Sequence, residues 1–226
     1  MAERSTLYWG SGSPPCWRVM IALQEKQILD VPHKLLSFDK QEHKSPELLA
    51  LNPRGELPTF VYKGNIVNES MAACLYLESQ FKAQGNQLIP DGPAEQALAY
   101  QRMFEVVTLH QKMADFLFYN WRVPESERHE TALARNKSLL STEFKLWEGY
   151  LQKMGPRSYI AGKNFTMADV MLFPHLAFCV RFGLSQKRYP NLLDYYNRVK
   201  ERPSVQATWP PHWKENPPTM DSLKDA

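Results

Sequence analysis

Three short stretches of the chain carry residue types that could do chemistry. Ser13-Pro14-Pro15-Cys16 places a hydroxyl where a strand-like run turns into a helix-like run. Ser is a favoured N-cap and Pro is tolerated in a first helical turn, so one reading is purely structural. The other is a hydroxyl at the positive end of a helix, holding an anion. One hydroxyl cannot fully serve both. Asn68-Glu69-Ser70 poses the same choice before a later helix. Ser70 is either an N-cap or, with the first backbone N–H groups, a carboxylate holder beside a Glu69 that takes an ammonium group. An α-amino acid head-group needs that pair of opposite charges. Within Asn52-Pro53-Arg54-Gly55-Glu56-Leu57-Pro58-Thr59, Pro58 either starts a strand or follows a cis peptide. A cis bond would turn the Leu57 N–H and C=O outward, to pair with an extended peptide ligand.

Other motifs point to structure or exclude chemistry. Gly10-Ser11-Gly12 lacks the third glycine of a dinucleotide fingerprint; Pro15 stands there and offers no N–H to a pyrophosphate. Asn164-Phe165-Thr166-Met167-Ala168-Asp169 is a capping box opening an apolar helix, a folding element. His43 lies in a polar segment, and His33, His110, His129, His175 and His212 show no ligand spacing with cysteines or acids, so no metal site is expected. Trp9, Trp17, Met103, Phe104 and Val107 could line an apolar pocket, or be plain core. Cys16, Cys74 and Cys179 are odd in number and scattered, which argues against a disulfide framework and fits a reducing compartment. The Ser13–Cys16 stretch resembles a thioredoxin-type C-x-x-C whose first Cys has become Ser, a change that removes dithiol redox chemistry.

The elements that must position these groups change character along the chain. Thr6–Trp9 reads as a buried strand, 14–26 as a helix, 32–36 as a weaker strand and 46–51 as one or two helical turns. Thr59–Tyr62 and Ile66-Val67 flank Lys63-Gly64-Asn65, which reads as a three-residue hairpin loop. Ser70–Phe81 completes the order β-α-β-α-β-β-α. Residues 84–93 are rich in turn formers and read as a linker. Beyond them only helices are expected: 94–119, 128–154 with Leu133, Leu140, Phe144, Trp147 and Leu151 at helical spacing, 166–182, and 191–201. The tail, with Pro203, Pro210, Pro211, Pro217 and Pro218, is expected to be irregular. An α/β half followed by an all-α half predicts two domains, 1–83 and 94–226, with a ligand crevice between them.

Composition narrows the class. A hydrophobic fraction of 43% and a charged fraction of 23% lie near globular averages, which excludes disordered and collagenous chains. Lys plus Arg exceeds Asp plus Glu by only three, with the charges interleaved, so no nucleic-acid partner is expected. The polar start has no signal-peptide core, and the apolar stretch 170–180 is far shorter than the ~20 residues of a membrane helix. A soluble, cytoplasmic protein is expected.

In this order and spacing, Ser13-Pro14-Pro15-Cys16, Asn52-Pro53 with Leu57-Pro58, Asn68-Glu69-Ser70 and Phe165-Thr166-Met167-Ala168-Asp169 form a pattern. The chain resembles a cytosolic glutathione S-transferase over essentially its whole length, in the serine-type branch with the theta, zeta and delta classes, and it looks closest to the rho class. The resemblance implies a thioredoxin-like α/β domain, an all-helical domain contributing the electrophile pocket, and a homodimer. It implies a detoxifying conjugation of glutathione, the co-substrate, to hydrophobic electrophiles, with no cofactor, metal or membrane partner. Ser13 matches the thiol-activating serine, with Tyr8 ranked second and Ser11 third. Leu57, just before the matching cis-proline Pro58, would pair through its backbone with the cysteinyl unit. Glu69 and Ser70 match the γ-glutamyl clamp, while His43, with Lys44, would contact the glycyl carboxylate. Gly55 departs from the pattern: delta-type enzymes carry a second histidine there. Glutathione-dependent peroxidase or isomerase activity is the alternative within the family. A non-catalytic binding module is a third reading, against which the intact Ser13, Glu69 and Ser70 argue.

Overall fold

The computed structural model describes residues 5–216 and 221–226. In chain order the elements are β1 (Thr6–Trp9), α1 (Pro14–Glu25), β2 (His33–Leu35), a 3-10 turn at Glu42–Lys44, α2 (Pro46–Leu51), β3 (Thr59–Tyr62), β4 (Asn65–Val67) and α3 (Ser70–Gln80). There follow α4 (Pro93–Leu117), α5 (Tyr119–Arg122), a 3-10 turn at Glu125–Glu127, α6 (Glu130–Met154), α7 (Met167–Arg181), α8 (Pro190–Lys200), α9 (Pro203–Ala207) and α10 (Pro211–Glu215). The chain divides into two compact units, Met1–Ile89 with Arg202–Pro217, and Pro90–Glu201 with Pro218–Ala226.

The first unit is built on a four-stranded mixed sheet of order β2-β1-β3-β4. β1 runs parallel to β2 and antiparallel to β3, and β3 is antiparallel to β4. Every residue of β1 and β3 is buried, as central strands covered on both faces require, whereas β2 and β4 are largely exposed edges. α1 buries residues on all its faces, from Cys16 and Trp17 to Ala22 and Leu23, because α3 and α9 both pack on it. The register pairs Tyr8 with Thr59, which carries the Leu57–Pro58 peptide alongside the end of β1.

Three expectations change. The hairpin loop is two residues, not three: Asn65 pairs with Tyr62 in β4, and Lys63 and Gly64 both take positive φ, 45° and 78°. That is the demand of the tight primed turn whose twist matches the strands. The tail is not irregular, since Pro203 and Pro211 each start a short helix at a first-turn position that needs no N–H. Pro210 is the N-cap of α10, while Pro217 and Pro218 lie outside the described residues. Residues 202–216, expected in the helical domain, cluster with the first unit instead.

The segment expected as a linker is tied down over its first half. Gly85 has φ +62°, and a Cβ there would stand 2.2 Å from the Glu25 carbonyl, so only glycine fits. The Asn86 N–H donates to that carbonyl at 2.8 Å. Lys26, wholly buried, donates to the Asn86 carbonyl at 3.0 Å and pairs with Glu78 at 2.9 Å. Glu78 in turn accepts from the Leu88 and Ile89 N–H groups.

In the second unit α4 packs on α6 and α7, and α8 on α6 and α7. Leu140, Phe144, Trp147 and Leu151 form the buried stripe of α6 at the expected spacing. α7 is buried on almost every face, which explains its continuous apolar sequence. Among the described residues no helix is long and apolar enough to cross a membrane. The capping box is present: Asp169 accepts from the Thr166 N–H at 2.8 Å and the Thr166 hydroxyl at 3.1 Å. Its second oxygen accepts from the Ile160 N–H at 3.0 Å and the Tyr195 hydroxyl at 2.9 Å.

Candidate functional site

The β1–α1 connection is a tight turn closed by the Ser13 N–H on the Gly10 carbonyl at 3.3 Å, with Ser11 and Gly12 at its centre. Gly12 has φ +78°, the conformation the third position of such a turn demands. Ser13 is the N-cap of α1, and its hydroxyl oxygen accepts from the Cys16 N–H at 3.4 Å. In that bond the half-buried hydroxyl only accepts, so its proton remains to be donated. Cys16 points into the core and accepts from the Gly10 N–H; burial pushes its thiol up to about 11, beyond the small lowering by Ser13 and Gly10. It is therefore not a nucleophile. Tyr8 is 1% exposed within β1. The Ser11 hydroxyl meets His212 Nδ1 of α10 at 2.6 Å.

At the start of α3 the expected N-cap is displaced by one residue. Glu69 is the N-cap and makes no capping bond through its side chain, while Ser70 is the first helical residue. The Ser70 hydroxyl instead accepts from Arg18 Nη1 at 3.2 Å. Arg18 is 5% exposed, and burial brings its guanidinium down to about 10, still protonated at neutral pH. A guanidinium can only donate, so the Ser70 hydroxyl turns its own proton elsewhere. The first amide of this helix to find a backbone acceptor is that of Ala73, on the Glu69 carbonyl at 2.8 Å. The N–H groups of Ser70, Met71 and Ala72 have none within the helix. Sequence reasoning did not single out Arg18; an arginine in the middle of the apolar run of α1 was the available signal.

The Leu57–Pro58 peptide is cis. Its loop is fixed by buried Asn52, whose side chain donates to the Glu56 carbonyl at 2.8 Å and the Thr59 hydroxyl at 3.2 Å and accepts from the Arg54 N–H at 3.1 Å. Among the described residues no group bonds the Leu57 N–H or C=O. Gly55, with φ +57°, leaves room that Lys44 fills: a Cβ would stand 2.8 Å from Lys44 Cδ, and the ammonium donates to the Arg54 carbonyl at 3.0 Å. The side chain missing at Gly55 is thus replaced in space by a cation from the 3-10 turn. His43, beside it, is half-buried rather than exposed, edge-on to Phe38, with Nδ1 buried and unbonded among the described residues. Burial, then the Lys44 charge, lowers its pKa.

Ser11, Ser13, His43, Lys44, Leu57, Pro58, Glu69 and Ser70 all belong to the first unit. Of the apolar set, Trp9 is 8% exposed and Trp17 2%; Trp17 packs edge-on against Trp209 and Trp213 and donates to the Thr208 hydroxyl at 2.8 Å. In the second unit Met103 is wholly buried, while Phe104 and Val107 are 58% and 49% exposed on α4. Among the described residues no group of three or more His, Cys, Asp or Glu is placed to hold a metal ion.

Residues 12–80 match the glutathione S-transferase N-terminal domain family and residues 108–208 the C-terminal domain family. The chain is 61% identical to "Glutathione S-transferase A" of Pleuronectes platessa, over the full length of both. It is similar to the crystal structure of a glutathione S-transferase from the Antarctic clam Laternula elliptica, with 42% identity and a TM-score of 0.87 over 98% of this chain and 99% of that one. A glutathione transferase homologue from Sulfitobacter, solved with bound glutathione, shares the fold at 24% identity and a TM-score of 0.76, over 91% and 96% of the two chains. With both family domains present in order on a four-stranded sheet and a helical unit, and with a curated transferase matched from end to end, this chain belongs to the glutathione S-transferase family.

Proposed function

We propose that the chain is a serine-type, rho-like glutathione transferase in which Ser13 activates the glutathione thiol for attack on small hydrophobic electrophiles. The observation that carries this is the open start of α3: an exposed Glu69 carboxylate, a Ser70 hydroxyl with its proton turned away from Arg18, and three helix amides without helical acceptors. Glu69 takes the γ-glutamyl ammonium, and Ser70 with the helix N-terminus takes its carboxylate. The unbonded main chain of Leu57 pairs with the cysteinyl unit, as a short added strand would. Lys44 and His43 face the glycyl carboxylate, the cation standing where Gly55 has no side chain. Phe104 and Val107 are the exposed members of the apolar set, those open to a hydrophobic ligand. A homodimer in the cytoplasm is part of this proposal.

The thiolate step fixes the role of Ser13. A free thiol has a pKa of about 8.5, and lowering it by about two units needs roughly 2.7 kcal/mol. The helix N-terminus supplies ~0.3–1 kcal/mol and a hydrogen bond to the anion about 1.5–3. Together they suffice, so Ser13 donates to sulfur and forms no covalent bond. Ser13→Ala is expected to cut turnover of an aryl halide roughly 10²-fold with glutathione affinity within a few-fold, and to raise the pKa of the bound thiol in an ultraviolet titration. Unchanged turnover with an unshifted titration would overturn the assignment.

A further inference from the structure

We propose that His212 is the proton acceptor for the glutathione thiol, acting through Ser11. The inference rests on the thiol lying at the β1–α1 turn. Sequence offers no base near that turn; tertiary structure brings one from 201 residues away, with His212 Nδ1 at 2.6 Å from the Ser11 hydroxyl.

Several independent contacts deliver the imidazole. Glu25 near the end of α1 holds Arg202 through two bonds, at 2.5 and 2.8 Å, and accepts from the Ser204 hydroxyl. Trp17 in the middle of α1 is clasped by Thr208, Trp209 and Trp213. Pro211 starts α10, and His212 follows over the turn. Gly12 admits the ring because it has no side chain: a Cβ would stand 2.6 Å from His212 Cε1. Of the charged groups, Lys214 and Glu215 share α10 with His212, Arg202 is engaged by Glu25, and Arg18 of α1 donates to Ser70.

The chemistry divides between the two serines of the turn. Ser13 is spent on the helix amide and donates its proton outward. With the imidazole neutral and its proton on Nε2, Ser11 gives its proton to His212 Nδ1 and so offers a lone pair. As the thiol S–H bond breaks, its proton passes to the Ser11 oxygen and the Ser11 proton passes to Nδ1. This leaves thiolate, a neutral Ser11 and an imidazolium, the side chain suited to hold a proton near neutral pH. The imidazolium returns the proton to solvent after the conjugate leaves.

A proton inventory tests this. Glutathione is mixed with the full chain in weak buffer containing a pH indicator, while ultraviolet absorbance reports thiolate. The wild-type protein is expected to release well under one proton per thiolate formed. His212→Asn keeps a group that can bond Ser11 but has no basicity at neutral pH. It is expected to release a full proton per thiolate and to lose about 10²-fold in kcat, with the glutathione KM within a few-fold. Ser11→Ala is expected to match it. A full proton released by the wild type, or a His212→Asn ratio equal to wild type, would overturn the inference. Absence of any thiolate in the wild type would overturn the site assignment beneath it.

Discussion

At the start of α7 the Asp169 carboxylate is wholly buried and accepts four hydrogen bonds, from the Thr166 N–H and hydroxyl, the Ile160 N–H and the Tyr195 hydroxyl. At the start of α3 the equivalent acid, Glu69, is exposed and caps nothing, and the serine beside it is turned by Arg18. Both starts pair an acid with a hydroxyl. In one, both carboxylate oxygens and the hydroxyl are bonded inside the protein, so neither side chain is left for a ligand. In the other, the carboxylate, the hydroxyl proton and three amides remain to be matched from outside. The start of α1 lies between these extremes: Ser13 makes one long capping bond and keeps its proton. A helix start left uncapped beside an exposed acid has donors and an acceptor to offer a ligand, whereas an acid whose oxygens are all bonded serves the fold.

The contrast is broken most severely at Asp169. Asp169→Ala would strand the Ile160 and Thr166 N–H groups and the Tyr195 hydroxyl in a dry core, each at about 1–3 kcal/mol. A loss of at least about 3 kcal/mol in denaturant unfolding is expected, with near-normal kcat per folded molecule. A variant of wild-type stability but no turnover would place Asp169 in the active site instead.

Glu69→Ala should do the reverse. An exposed side chain with no capping bond has little to give the fold, so the melting temperature should move by less than a degree or two, about 0.5 kcal/mol. Glutathione affinity should fall roughly ten- to hundredfold as the ammonium loses its carboxylate. Calorimetry showing an unchanged Kd would remove the γ-glutamyl assignment and erase the difference between the two helix starts.

The smallest effect is expected from the thiols. Cys16, Cys74 and Cys179 are wholly buried, and burial raises all three thiols, Cys16 to about 11 and Cys74 to about 12. At neutral pH the native protein should therefore give almost no reaction with a thiol reagent, and three equivalents after unfolding. Rapid labelling of Cys16 alone would show that the start of α1 opens, and that Ser13 is less firmly held as a cap than its geometry implies.

What the sequence by itself determined is whatever a few neighbouring residues can encode. Thr6–Trp9 and Thr59–Tyr62 announce buried strands by composition, and Leu140 to Leu151 announce a helix face by period. The Thr166–Asp169 box states its own hydrogen bonds, and Leu57-Pro58 and Glu69-Ser70 mark places where a ligand could enter. Tertiary structure alone decided how those groups are spent. Ser70 reads first as a cap; Arg18, 52 residues away, is what its hydroxyl meets instead, as an acceptor. The vacancy at Gly55 is filled by Lys44, whose side chain lies over that loop. His212 shows no chemistry by its sequence position and meets Ser11 because Glu25 and Trp17 hold residues 202–213 against α1. The physical reason is range. Backbone propensity, caps and turns act over one to four residues, whereas a buried side chain takes its partner from whatever packing brings within about 3 Å, and sequence distance places no limit on that.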